Sequence, residues 1–369
     1  MKLEYVEVFH VRLPLKAPFR TSFGEAREQA AVIVKAHSDG LIGWGEADPS
    51  AEPRYSPECA STAFLILKDF LLPAVVGKNF PTALELQAAM SFVRGNQFAK
   101  SAIEIAFWTL LAEEQGKPLH QILGGVKNKV TVGVPIGIQD TSAKLMKEIE
   151  RFLTYGYQRV KLKIKPEWDV DIVRQVRKEF PNIHLMVDAN SAYTLQDAVH
   201  LKRLDAFNLM MIEQPLGYDD IVDHATLQAQ IKTPIALDES IHSPDDARKA
   251  IQLGSGKIIN IKISRVGGIA NALKVHDICH QAGWPVWVGG MKEMGIGSAV
   301  KIEFASLPNV VLPSDIAPSD RYYLEDIVEP PIVLHSDGTY DIAKKPGIGR
   351  MVKETFIRAN TIASFNIKA

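Results

Sequence analysis

VKLKIK, residues 160–165, is a β-rich run that carries Lys161 and Lys163 on one face, because alternate residues of a strand point the same way. Buried lysines are uncommon in strands covered on both faces, so this pair is not a solvated edge, whereas Lys165, beside Pro166, reads as one. Four more strand-like runs follow: LMVDAN (185–190), MMIEQP (210–215), IALDES (235–240) and INIKIS (259–264). The ionic residues near their ends, Lys163, Asp188, Glu213, Asp238 and Lys262, are spaced by 25, 25, 25 and 24 residues. Each interval accommodates one strand and one crossover helix, and helical spacing fills the gaps, for instance at 168–178 and 245–253.

Outward from this stretch, strand-like segments occur at 130–136, 159–164, 183–188, 209–213, 235–238, 258–263, 286–288 and 310–312. Eight parallel strands with helical crossovers predict a closed α/β barrel, with all five ionic side chains at its C-terminal mouth. A doubly wound open sheet uses the same grammar, but Gly267-Gly268 and Gly289-Gly290 lack the GxGxxG or Walker spacing of its phosphate-binding turns. Before the barrel, segments 3–15 and 29–47 read as antiparallel strands with a turn at Ser38-Asp39-Gly40, and 61–72, 83–92 and 99–115 as helices. The division is therefore 1–125 as an α+β capping domain, 126–325 as the barrel, and 326–369 as a segment packing back on the cap, its residues 333–369 a hairpin and tail. At ~150 residues per domain, a chain of 369 residues accommodates two or three units, and two is the starting expectation.

Lys plus Arg number 42 against 43 Asp plus Glu, so no global basic field exists to hold nucleic acid or an anionic membrane surface. The two cysteines, Cys59 and Cys279, cannot build a disulfide framework or a CxxC metal site, and a reducing cytoplasm is expected. The opening MKLEYVEVFHVRLPLKAPF alternates like a strand, so an export leader is not expected. The longest apolar stretch, 63–76, is broken by Lys68, Asp69 and Pro73 and is no membrane span. The expected partners are a small carboxylate substrate and further copies of the chain in a homo-oligomer.

Asp188, Glu213 and Asp238 on adjacent strands form an all-oxygen donor set, which suits a hard divalent cation: Mg²⁺, with Mn²⁺ as the alternative. Without a cation, three clustered carboxylates raise one another's pKa values. Such a cation makes the carbon beside a chelated carboxylate acidic, and Lys163 and Lys262 flank the triad as candidates for the base. A lysine acts as a base only when neutral. Lys161 and Arg265 are nearby positive charges that favour the neutral amine, and Glu239 opposes it if it pairs with a lysine. A single acid after a strand reads more simply as a helix cap, but five ionic groups at a constant interval do not. His10, His224, His242, His276 and His280 form no ligand motif and read as surface or packing residues, and Cys279 as core filling.

At these residues the chain resembles the enolase superfamily, in its muconate cycloisomerase-like subgroup, through Lys161-Leu162-Lys163, Asp188, Glu213, Asp238 and Lys262. The stretches YQRVKLKIKP, VDANSAYT, IEQPL, LDESI, NIKISRVGG and VWVGGM are most similar to its o-succinylbenzoate synthase and N-acylamino acid racemase branch. This resemblance implies a modified (β/α)7β TIM barrel with an N-terminal α+β capping domain completed by the C-terminal segment. It implies that Asp188, Glu213 and Asp238 hold Mg²⁺, and that Asn190, Glu239 and Arg265 support them. Lys163 then removes an α-proton while Lys262 stabilises from the opposite face; in racemisation the two are opposed acid and base. Superfamily sites that pair a Lys or His base with Mg²⁺ are a known pattern. Specificity is implied to come from the cap loops 17–24 and 48–56, through Phe19, Phe23 and Tyr55, and from Gly290, Met291 and Met294 in GGMKEMGIGSAV. That loop departs from the family's pattern at Met294 and Ser298. Asp315-Ile316-Ala317 lacks the DxD that dipeptide epimerases carry there.

Overall fold

The computed structural model describes residues 1–22 and 24–369. Strands β1 (Tyr5–Thr21), β2 (Gly24–Ser38) and β3 (Leu41–Ala47) pair antiparallel, with Asp39 and Gly40 both at positive φ in the β2–β3 turn, as a tight hairpin turn requires. Residues 30–36 of β2 are all buried because the sheet has a core on each face. Ala31 and Ile33 join the large barrel core, while Ala30, Val32, Val34 and Ala36 join a second core under the cap helices. Those helices are α1 (Ala60–Ile66), α2 (Ala83–Ala89) and α3 (Gln97–Glu114). β3 lies directly on α3: a Cβ on Gly43 would stand 2.2 Å from the Ala106 carbonyl oxygen, and one on Gly45 2.0 Å from that of Ala102. Only glycine permits that approach.

The barrel strands are β4 (Gly133–Ile136), β5 (Arg159–Lys163), β6 (Leu185–Asp188), β7 (Ile212–Glu213), β8 (Ile235–Leu237), β9 (Ile258–Ile261) and β10 (Val286–Val288). They form one parallel sheet in sequential order. The crossovers include α4 (Ser142–Thr154), α5 (Val170–Glu179), α6 (Val222–Gln228), α7 (Pro244–Leu253) and α8 (Ile269–Gln281), followed by α9 (Gly295–Ala305). Ser243 caps α7 by accepting from the Asp246 N–H, with Pro244 at the first helical position. The fold is thus an α/β barrel carrying a separate N-terminal cap of strands and helices.

Several boundaries differ from expectation. The expected eighth strand at 310–312 is irregular: it closes the ring through single bridges, Val286 to Val310 and Val132 to Ser314. Pro313 has no N–H to give a ladder, and closure passes to the Gly133 N–H to Ser314 carbonyl bond and the Asp315 N–H to Val288 carbonyl bond, 3.0 and 2.8 Å. The expected strand at 130–136 divides, with Lys129–Thr131 pairing antiparallel to Thr339–Asp341 outside the barrel. That pairing replaces the hairpin expected within 333–369. The final strand β11 (Thr361–Lys368) runs antiparallel to β1 and completes a four-stranded sheet ordered β11-β1-β2-β3. Among the described residues no helix is long and apolar enough to cross a membrane.

Candidate active site

Strand alternation sends Arg159, Lys161 and Lys163 inward from β5, and all three are buried. Below them the ring is plugged by Met186, Met211, Ala236, Ile258 and Trp287, so the lower interior is apolar and the mouth is ionic. Register aligns Lys163 with Asp188 and Asp188 with Glu213 on neighbouring strands. β5 and β9 stand four staves apart in a ring of eight, so Lys163 and Lys262 face each other across the mouth, with the acids on the staves between.

Each carboxylate is compensated by a cation of the chain. Asp188 Oδ2 accepts from Lys163 Nζ at 2.6 Å and pairs with Lys161 Nζ at 3.2 Å. Glu213 Oε2 lies 3.1 Å from Lys161 Nζ, and its Oε1 accepts from Asn260 Nδ2 at 2.8 Å. Asp238 accepts from Lys262 Nζ at 2.8 Å, from Tyr55 Oη at 3.3 Å and from Arg265. Asn190 joins the two sides: its Oδ1 accepts from Lys163 at 2.6 Å and its Nδ2 donates to Glu239 at 2.8 Å. Glu239 therefore meets Lys163 through Asn190, and it also feels the charge of Lys262.

Burial sets the electrostatics. It pushes Glu213 well above the usual carboxylate range, and the charge of Asp188 adds to the shift. For Asp188 burial acts upward, but Lys163 and Lys161 outweigh it and hold the carboxyl below its usual value. Lys262 and Arg265 overcome burial in the same way at Asp238. Burial works against the Lys161 ammonium, yet Asp315, Glu213 and Asp188 outweigh it and hold Lys161 well above the normal lysine range. Lys161 is thus a fixed cation tying three acids together. Arg265 likewise is engaged, by Asp238 and by the carbonyls of Ile241 and Asn260 at 2.9 and 2.8 Å.

A cavity of about 220 Å³ opens above these groups, lined by Lys161, Lys163, Asn190, Lys262, Gly290 and Met291 from the barrel, and by Phe19 and Tyr55 from the cap. Tyr55 accepts from both Lys262 and Arg265 at 2.8 Å, and its ring centroid lies 4.3 Å from the Lys262 ammonium. Met294 is fully buried in the barrel core and is not on the cavity wall; its backbone N–H donates to Glu46 at 2.6 Å. That bond fixes the backbone at the entry of α9, and the side chain packs in the barrel core. Ser298 is buried on α9 and also off the wall. Phe23 lies outside the described residues.

Two groups escaped sequence reasoning. Asp315, at the end of the closing stave, sits 2.6 Å from Lys161 Nζ and 2.8 Å from Arg159. It obeys the same end-of-strand rule as the other five, but the irregular stave hid its register. Lys292, in GGMKEMGIGSAV, also lines the cavity; its signal is a cation in the loop after the seventh strand.

As they stand, the acids are not a ready coordination shell: among the described residues no three His, Cys, Asp or Glu side chains are placed to hold a metal ion. The donor chemistry fits a hard cation nonetheless. Asp188, Glu213 and Asp238 are buried oxygen donors that interact electrostatically, and Glu239 Oε2 is buried without a hydrogen-bond partner.

This chain belongs to the enolase superfamily, in the branch of mandelate racemase and muconate lactonizing enzyme. Residues 4–124 match the mandelate racemase/muconate lactonizing enzyme N-terminal domain, and residues 144–356 match the enolase C-terminal domain-like family. The chain is 50% identical over 350 residues to an o-succinylbenzoate synthase of Geobacillus stearothermophilus, a match covering 95% of this chain and 93% of that relative. It is 42% identical to an N-succinylamino acid racemase of Thermus thermophilus, covering 98% of each. A solved enolase-superfamily structure from Listeria innocua Clip11262 superposes with a TM-score of 0.96 at 40% identity, covering 100% of this chain and 99% of that one.

Proposed function

We propose that this protein abstracts the proton α to a carboxylate, acting as an o-succinylbenzoate synthase on the route to menaquinone, with N-succinylamino acid racemisation as a second outcome of the same site. The observation that carries this reading is the pair of buried lysines on opposed staves, with three buried carboxylates between them. The naming of relatives at 50% and 42% identity supports both outcomes. In this reading Asp188, Glu213 and Asp238 hold Mg²⁺ or Mn²⁺, relieving the charge now offset by Lys161, Lys163, Lys262 and Arg265. When bound, the cation supplies Lewis acidity that lowers the pKa of the α-carbon.

Lys163 breaks the C–H bond as its neutral amine: the proton passes to the lone pair of its Nζ and the electron pair moves into the carboxylate. Asn190 and Asp188 aim that Nζ. In dehydration the pair returns to form the new double bond, and the β-hydroxyl leaves as water with the proton from Lys163, while the Lys262 ammonium stabilises the opposite face. In racemisation Lys262 delivers a proton to that face instead. Lys161 keeps its proton and acts through charge alone. Tyr55 and Phe19 exclude water from above. The expected setting is the cytoplasm, with further copies of the chain as partners.

A panel of the succinylcyclohexadiene carboxylate, N-succinyl and N-acetyl amino acids tests the reading with Lys163→Ala and Lys262→Ala. Dehydration is expected in the unmodified protein and a fall of ~10²–10⁴-fold in each variant, with the far-UV circular dichroism preserved. Unchanged turnover in both variants would end the proposal.

A further inference from the structure

The cavity's charges are almost all compensated from within. Every other lysine and arginine on its wall has a carboxylate or carbonyl oxygen partner; Lys163 and Lys262 are held by Asp188 and Asp238, and Lys301 by Glu293 at 2.5 Å. Lys292 is different: among the described residues its ammonium has no oxygen partner and lies 5.7 Å from the Phe19 ring centroid. The adjacent Glu293 attracts it without pairing with it, being engaged by Lys301 and by the Met291 N–H at 2.9 Å.

Its backbone is built to put it there. Lys292 adopts φ 65°, a left-handed conformation rare for residues with a side chain. The Tyr323 hydroxyl donates to its carbonyl, fixing the turn from outside. The turn directs the side chain into the cavity, where the barrel loop meets the cap.

We propose that Lys292 Nζ is the anchor for a second carboxylate, at the far end of the substrate from the carbon that loses its proton. This rests on the α-proton reading above and narrows its substrate class to dicarboxylates, such as acids bearing a succinyl arm. The first carboxylate belongs with the acidic triad and the opposed lysines; a further ammonium on the same wall that no described oxygen pairs calls for a second anion. Burial, the charge of Lys163 and, more weakly, that of Lys262 push the Lys292 ammonium down to about 8, against the pull of Glu293 and Asp48, and a bound carboxylate relieves that stress.

The test compares N-succinyl and N-acetyl forms of one amino acid with the unmodified protein, Lys292→Met and Lys292→Arg. The ratio of kcat/KM for the N-succinyl over the N-acetyl acid is expected to fall ~10–100-fold in Lys292→Met, chiefly through KM for the N-succinyl acid, and to recover in Lys292→Arg. An unchanged ratio in Lys292→Met overturns the inference. If the unmodified protein turns over neither acid, the α-proton reading is judged separately by dehydration of the succinylcyclohexadiene carboxylate, and calorimetric binding of o-succinylbenzoate decides the role of Lys292. Weaker binding by folded Lys292→Met supports the anchor, and equal binding overturns it.

Discussion

Tyr55 shows how one side chain joins the two halves of the site. It comes from the cap, yet its hydroxyl accepts from Lys262 and Arg265 and donates to Asp238. Removing that oxygen leaves two buried cations with one acceptor fewer. Tyr55→Phe is expected to lower kcat/KM by ~10-fold, the worth of a hydrogen bond to a charged group, and steady-state kinetics checks it. Unchanged kcat/KM would show that Tyr55 only fills space. The five strand-end ionic residues were legible because a βα unit has a nearly constant length. Met294 was misread because adjacency in a loop does not say which side chain faces the cavity, and its side chain packs in the barrel core instead. Lys292 was hidden for the same reason, since nothing in GGMKEMGIG announces a positive φ at a lysine.

At the scale of elements, the cap is fastened to the barrel by a carboxylate. Glu104 on α3 accepts from the N–H groups of Ile269 and Ala270, at the start of α8, at 2.7 and 2.8 Å, and from Trp108 Nε1 at 2.8 Å. Burial outweighs these donors and pushes its pKa up to about 7. A raised pKa means that the folded state binds the proton more tightly than the unfolded chain does. The stability it contributes is therefore full below the unfolded value near 4.5 and is lost as pH rises through about 7. Unfolding free energy, unmodified protein minus Glu104→Gln, is expected to fall by up to ~3 kcal/mol between about pH 5 and about pH 8 in denaturant titrations. A constant difference would contradict the shift. Strands and crossover helices were readable from periodicity, but the closing stave was not. Its pairing depends on single bridges around Pro313, and Lys129–Thr131 takes a partner more than 200 residues downstream.

At the scale of the whole molecule, ring closure turns five residues spread over a hundred positions into one site, and the cap covers it. β11 returns from the end of the described chain to pair with β1, so the cap sheet depends on both ends of the sequence. The apolar pattern predicted a returning tail, but only tertiary pairing shows which strand receives it. The central claim is that Lys163 and Lys262 approach one carbon from opposite faces. It is tested most directly by proton NMR of α-proton exchange in deuterated water, using each enantiomer of an N-succinyl amino acid. The unmodified protein should exchange both, Lys163→Ala only one, and Lys262→Ala only the other. Exchange of both enantiomers at undiminished rate by either variant would contradict the account.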